Sequence, residues 1–294
     1  MIVITTPTGD IGNQLVEKLL EADESVRVIA RDSSRLAAHV RARVDVVEGS
    51  HGDAEVVDRA FEGADSVFWL VPPDFRTPNV DSRYVEFTRP ACEAFKSHGV
   101  SRVVAVSALG RGSGLETDAG LVTASLAMED LICSTGISYR GLTMPGFMDN
   151  MLRQVDAIKA TGTFSSTLSG DLKAPTCATR DIAGVAARLL LDHTWTGRQS
   201  TPVLGPEDLS CNEMAQIMSE VLGQAVHYQQ QPIDSLRTDM LARGASEAMT
   251  NGMVEMMIAK EHGLDNAEPR TPGSTTPTSF RQWCVEVLKP AAVA

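Results

Sequence analysis

The chain of 294 residues carries 26 basic and 38 acidic side chains, a formal charge of -12. That balance argues against an extended nucleic-acid interface, which needs a concentrated positive surface, though it leaves room for a local basic pocket. Aromatic residues make up only 5% of the chain, so stacking on exposed bases is not expected, while 43% hydrophobic content is ample for a sizeable core. The five cysteines, Cys92, Cys133, Cys177, Cys211 and Cys284, are scattered and form no C-x-x-C pair. They read as reduced thiols with no metal site. No leader-like start and no apolar run near about 18 residues is visible, so a cytoplasmic protein without a membrane segment is expected.

The first apolar run, Ile2-Val3-Ile4, reads as a strand. Thr6-Pro7-Thr8-Gly9-Asp10-Ile11-Gly12 follows, and apolar residues at 11, 15, 16, 19 and 20 then mark one face of a helix. A strand, a glycine turn and a helix in this order suit a dinucleotide: pyrophosphate sits on free N–H groups at the helix start. Gly9 would allow close approach and Gly12 close packing. Thr6 stands where the first turn residue belongs, and its β-branched side chain implies a negative φ there. Thr6 and Thr8 add hydroxyls for phosphate oxygens.

The next run, 26–29, ends in Ala30-Arg31-Asp32, about 20 residues beyond the glycines, where the ribose 2′ position is met. Arg31, with Arg35 a turn later, offers planar bidentate donors to a 2′-phosphate. NADP(H) is therefore expected ahead of NAD(H), with Asp32 the residue that would bond a bare 2′-hydroxyl.

Further strand-like runs at 44–47, 66–71, 103–106 and 138–142 alternate with helical periods around 56–61, 84–95 and 124–133. Alternation of this kind builds right-handed β-α-β units and a parallel sheet covered on both faces, the doubly wound α/β class. The expected division is a dinucleotide-binding Rossmann domain over 1–150 and a smaller, mostly helical substrate lobe over 151–294. In the latter, helical patterns at 151–159, 181–191, 210–222 and 233–261 are joined by short strand pieces at 201–204 and 225–229, which can return to the main sheet. Segment 265–279 is polar and Pro-rich, a long loop that a neighbouring site could order.

Ligands of such sheets bind beyond the carboxyl ends of the strands. That selects Leu70, Val71 and Pro72, then Ser107 with the residues after it, then Pro145, Gly146, Phe147 and Met148. Met249, Met253, Met256 and Met257 have the spacing of a helix core, and a cavity wall is the second reading. His51 and His98 read as surface loop residues, and Cys133 as core.

Thr-Pro-Thr-Gly-Asp-Ile-Gly, Val-Arg-Val-Ile-Ala-Arg-Asp and the run from Gly63 to Pro73 together resemble the NmrA-like family of atypical short-chain dehydrogenases/reductases. So do Val106-Ser107-Ala108-Leu109-Gly110, the run from Met144 to Asn150, Arg180-Asp181-Ile182-Ala183 and the run from Pro277 to Trp283. The resemblance spans nearly the whole chain. It implies a cofactor cleft built from Thr6, Thr8, Gly9, Asp10, Ile11, Gly12, Arg31, Arg35, Ser50, Leu70, Val71, Pro72, Pro145 and Phe147. The family is similar in fold to quinone, azo-dye, triphenylmethane and isoflavone-type reductases, and it includes regulators that bind the dinucleotide without turnover.

Two departures stand out. The third strand runs Glu48-Gly49-Ser50-His51, with Ser50 where members of the family carry an adenine-binding acid. The Tyr-x-x-x-Lys proton shuttle of related reductases is missing: no lysine lies between Lys96 and Lys159, and Tyr139 is the only tyrosine there. Ser107 matches the family's catalytic serine and would orient an acceptor's oxygen. The resulting expectation is hydride transfer from NADPH to a small aromatic or conjugated electrophile, quinone-like, iminium or dye-like, that needs no strong acid. The alternative is an NAD(P) sensor acting through a protein partner. Oligomeric state stays open.

Overall fold

The computed structural model describes residues 1–293. In chain order the elements are β1 (Ile2–Thr5), α1 (Asp10–Glu21), β2 (Val26–Ala30), α2 (Ala38–Arg41), β3 (Asp45–Glu48), α3 (Ala54–Phe61), β4 (Ser66–Trp69), α4 (Phe87–Ser97), β5 (Arg102–Ala108), α5 (Leu121–Cys133) and β6 (Ser138–Met144). Then come β7 (Gly146–Phe147), α6 (Val155–Thr161), β8 (Thr163–Ser166), β9 (Ala174–Cys177), α7 (Thr179–Leu191), β10 (Arg198–Pro202), β11 (Asp208–Leu209), α8 (Cys211–Leu222), β12 (His227–Gln230), α9 (Ile233–Ala242), α10 (Glu247–Glu261), α11 (Phe280–Trp283) and α12 (Lys289–Val293).

Seven strands form one sheet in the order β10-β6-β5-β4-β1-β2-β3, every neighbouring pair parallel. The doubly wound class expected from the alternating runs is what folds. Alternate residues serve opposite faces: Val3, Val67, Trp69, Val103 and Ala105 join α3, α4 and α5 in one core, while Ile2, Ile4, Phe68 and Val104 join α1 and α7 in the other. Burying each such side chain contributes roughly 1.5–3 kcal/mol, which is why these strands tolerate so few polar residues.

The chain's second half returns to this sheet through β10, which pairs with β6. Helix α7 packs on α1, where Gln14 Nε2 donates to Thr179 Oγ1 at 3.0 Å. A further core of Met148, Ile158, Phe164, Met214, Met218, Phe280, Trp283 and Leu288 holds the remaining helices together.

Some local readings change. The helical pattern over 233–261 is two helices, broken at Gly244, whose φ of 84° lies in the left-handed region. Strand β9, Ala-Pro-Thr-Cys, has too short and too mixed a pattern to signal itself. Segment 265–279 is irregular beyond its first turn. It is tied down by Arg270 to Asp208 at 2.6 Å and by Thr278 to Asp181, and none of it reaches the cleft described below.

Candidate active site

Strand order reverses between β1 and β4, because β2 and β3 lie to one side of β1 and everything after β3 lies to the other. The crevice that opens there is where ligands of such sheets bind. Thr5 pins its floor, donating to Phe68 O at 3.0 Å and accepting from Leu70 N at 2.9 Å. A cleft of about 1180 Å³ extends from this point along the carboxyl ends of the strands. Thr6, Thr8, Gly9, Asp10, Ile11, Gly12, Arg31, Arg35, Ser50, Leu70, Val71, Pro72, Ser107, Pro145 and Phe147 all line it, whereas Met148, also expected there, is fully buried in the core of the second half.

The glycine turn differs from expectation at one residue. Thr6 has φ of 51°, not a negative value. A β-branched residue in the left-handed region is strained, on the order of 1–3 kcal/mol, and such strain persists only where surrounding contacts impose it. Here Thr6 O accepts from Gly9 N at 3.1 Å, and the Thr6 hydroxyl is buried without a hydrogen-bond partner. The turn therefore keeps the shape a glycine would give.

The two glycines do separate work. A Cβ on Gly12 would lie 2.1 Å from Thr6 O, so Gly12 is demanded by packing of helix on turn. A Cβ on Gly9 would meet only Thr6 O at 3.5 Å, an ordinary contact, so the protein itself leaves room there. Gly9 caps α1 without a side-chain bond, and the N–H groups of the first turn lack helical acceptors and open on the cleft. An orphaned hydroxyl, a glycine bare of steric cause and an uncapped helix start fit a pyrophosphate.

Charge in the cleft runs against the net charge of -12. Arg31, Arg35, Arg76, Arg153 and Arg243 line it, and their guanidinium groups make no hydrogen bond or ion pair among the described residues. Asp32, the residue suited to a bare 2′-hydroxyl, is turned to local use: its carboxylate accepts from Ser34 N at 2.9 Å and Ser34 Oγ at 2.6 Å. Those bonds hold its carboxyl below the usual carboxylate range. Asp53 caps α3 through Glu55 N at 2.9 Å and does not line the cleft. That leaves Ser50 and His51 at the end of β3.

His51 is not a surface residue. It is 8% exposed, its Nε2 bonds Leu70 O at 3.0 Å, and its ring stands edge-on to Trp69 and Phe87 at 5.1 and 4.8 Å. Burial, reinforced by the nearby Arg83 guanidinium, pushes its pKa down to about 4. Neutral at pH 7, it donates to Leu70 O and braces the loop after β4. Arg83 braces the same loop, donating to Pro72 O at 2.7 Å and lying over the Phe87 ring.

Ser107 also differs from expectation. Its hydroxyl donates to Glu129 Oε2 at 2.5 Å, so its hydrogen is not free for an acceptor's carbonyl. Glu129, 1% exposed, further accepts from Arg198 at 2.9 Å and Arg111 at 3.3 Å. Sequence reasoning missed this carboxylate; the signal available was an acid on the buried face of an apolar helix. Helix α5 carries neither tyrosine nor lysine. Tyr139 OH is buried without a partner beneath it, its pKa driven up by burial and the Glu129 charge.

The far wall is apolar. Phe147, Met144, Met128, Leu121 and Val122 face Met253 and Met256 of α10. Met249, one turn earlier, is fully buried in the core, so the methionine run is partly core and partly cavity wall. Lys260, one turn after Met256, also lines the cleft. No group of three or more His, Cys, Asp or Glu side chains among the described residues could hold a metal ion, and no helix is long and apolar enough to cross a membrane.

A family model described as NAD(P)H-binding matches residues 7–193. The chain is 30% identical over 245 residues to (4-alkanoyl-5-oxo-2,5-dihydrofuran-3-yl)methyl phosphate reductase of Streptomyces griseus subsp. griseus, covering 83% of this chain and 81% of that one. It is 28% identical to the NAD(P)H azoreductase of Xenophilus azovorans, covering 87% and 86%. Among solved structures, the Citrobacter sp. triphenylmethane reductase complexed with NADP(H) superimposes with a TM-score of 0.78 at 20% identity, covering 97% of this chain and 99% of that one. The last likeness is one of fold.

Proposed function

Because the chain belongs to this NAD(P)H-binding family and its relatives are reductases, we propose that it is an NADPH-dependent reductase of flat, conjugated electrophiles: quinones, azo compounds, iminium or triarylmethyl cations, and electron-poor alkenes. The observation that carries this reading is the continuity of one cleft. The glycine turn and unpaired Arg31 and Arg35 occupy one end, and an apolar wall of Phe147, Met253 and Met256 the other.

Bound NADPH would supply the hydride, which no side chain can furnish. The remaining work belongs to the chain. The N–H groups that open α1 take the pyrophosphate, with Gly9 leaving space for it. Arg31 and Arg35 take the 2′-phosphate with planar, bidentate donors, beside Asp32, whose Oδ1 is held by Ser34. The loop Leu70–Pro72, braced by His51 and Arg83, covers the ribose side. Ser107 faces the ligand as an acceptor only, because its hydrogen goes to Glu129, so it suits an amide N–H better than a carbonyl. Phe147 and the methionines hold a flat acceptor at near-attack distance and exclude water.

NADPH oxidation against menadione, an azo dye, a triarylmethyl dye and an α,β-unsaturated lactone tests the proposal. Turnover of at least one is expected. Tight NADPH binding with no acceptor reduced would favour the sensor reading instead.

A further inference from the structure

With no tyrosine or lysine on α5, the cleft lacks its expected proton donor, yet one ammonium does line it. Lys260 comes from α10 in the other half of the chain, and its side chain is only 14% exposed. We propose that Lys260 is a catalytic residue, the group that holds and protonates the oxygen of the reduced acceptor. This rests on the reductase reading above.

Placement supports the role. Met253, Met256 and Lys260 follow one another along one face of α10 at helical spacing, so the ammonium extends the apolar wall that would carry the acceptor. Just beyond, Leu264 packs with Ala108, Val122 and Met256, which fixes the end of α10 over the carboxyl end of β5. The ammonium thus lines the same cleft as Ala108 and Phe147, on the wall that would carry the acceptor.

Bonding supports it too. Lys260 donates to Asp265, which is itself 8% exposed on the side chain, and no other partner engages it among the described residues. An ammonium has three donors, so two are uncommitted. A mostly buried ion pair is a costly way to join a helix to its next turn, and hydrophobic residues of like volume would serve as well or better. Asp149, which also lines the cleft, and Asp181 are engaged elsewhere, with Thr179 and with Thr278.

Bound NADPH would supply the hydride to the electrophilic carbon of an enone or quinone and be left as NADP+; as the π pair moves onto the oxygen, one N–H bond of Lys260 would break and the new O–H form. Solvent then returns the proton to the amine. The role applies to those acceptors of the proposed set whose reduction leaves charge on oxygen, the quinones and electron-poor alkenes.

The test uses Lys260→Met and the double variant Lys260→Met/Asp265→Asn, which leaves no lone buried carboxylate. Two readouts are needed, menadione turnover and, without NADPH, the ionisation of bound 4-nitrophenol by absorption. Menadione kcat should fall about 10²-fold or more, the range of general-acid catalysis, while NADPH affinity and melting temperature of the double variant hold. Bound nitrophenol should be phenolate in the wild type at a pH where it is phenol in both variants. Unchanged nitrophenol ionisation in the variants, or menadione turnover kept by the double variant, would overturn the assignment. A wild type that ionises nitrophenol but reduces no acceptor would refute the reductase reading while leaving the oxyanion site in place.

Discussion

His51 makes the stability of the cleft sensitive to acid in a way that can be calculated. Its pKa falls from 6.5 in the unfolded chain to about 4 in the fold. The folded state therefore binds the proton less readily, and stability is lost as pH drops from 6.5 toward 4, with no contribution above that window. At one pKa unit per about 1.4 kcal/mol, the full loss is about 3 kcal/mol, and about 2 kcal/mol of it has gone by about pH 5. Replacing the ring with Phe keeps the edge-on packing against Trp69 and Phe87 but removes the bond to Leu70 O, at a cost of about 1 kcal/mol. His51→Phe should be less stable than the wild type at pH 7 and more stable at pH 4.5, with curves crossing between about pH 5 and 6. Thermal melts of both proteins across that range measure the difference, and carboxylate titrations common to both cancel in it. A difference that stays constant with pH would refute the reasoning.

The two glycines of the turn should separate cleanly. Gly9→Val should fold with a near-normal melting temperature and lose NADPH binding by calorimetry, whereas Gly12→Ala, with a Cβ 2.1 Å from Thr6 O, should lose roughly 1–3 kcal/mol of stability or more. Arg31→Ala should erase most of the preference for NADPH over NADH in measured dissociation constants; equal constants in the wild type would defeat the 2′-phosphate assignment. Glu129→Gln, which keeps the volume but not the charge that Ser107, Arg111 and Arg198 share, should lower the melting temperature by an amount equivalent to about 1–3 kcal/mol. Ser107→Ala, which leaves the Glu129–arginine contacts standing, should slow turnover by tenfold or less.

The sequence showed the sheet because its signals are local: each strand is a short apolar run, and each helix carries an apolar stripe. The glycine turn was legible for the same reason, its residues being contiguous. Backbone shape at Thr6 was not, because the left-handed φ of 51° is imposed by the close passage of α1 and contradicts the residue's own preference. His51 looked like a loop residue since polarity and flanking glycines say nothing of the Trp69 and Phe87 rings that come to cover it. Glu129 and Lys260 were missed because their meaning depends on partners 22 and 5 residues away and on which lobe folds over which strand end. Spacing along one helix cannot show that.

The most direct test of the central claim is transfer of label. With NADPH deuterated at C4 of the nicotinamide and an acceptor reduced at carbon, such as an unsaturated lactone or a triarylmethyl cation, mass spectrometry of the product reads where the hydride went. The account predicts deuterium on the acceptor carbon from one C4 face only, and loss of incorporation in Gly9→Val. Product formed without deuterium from either face would contradict direct hydride transfer in this cleft.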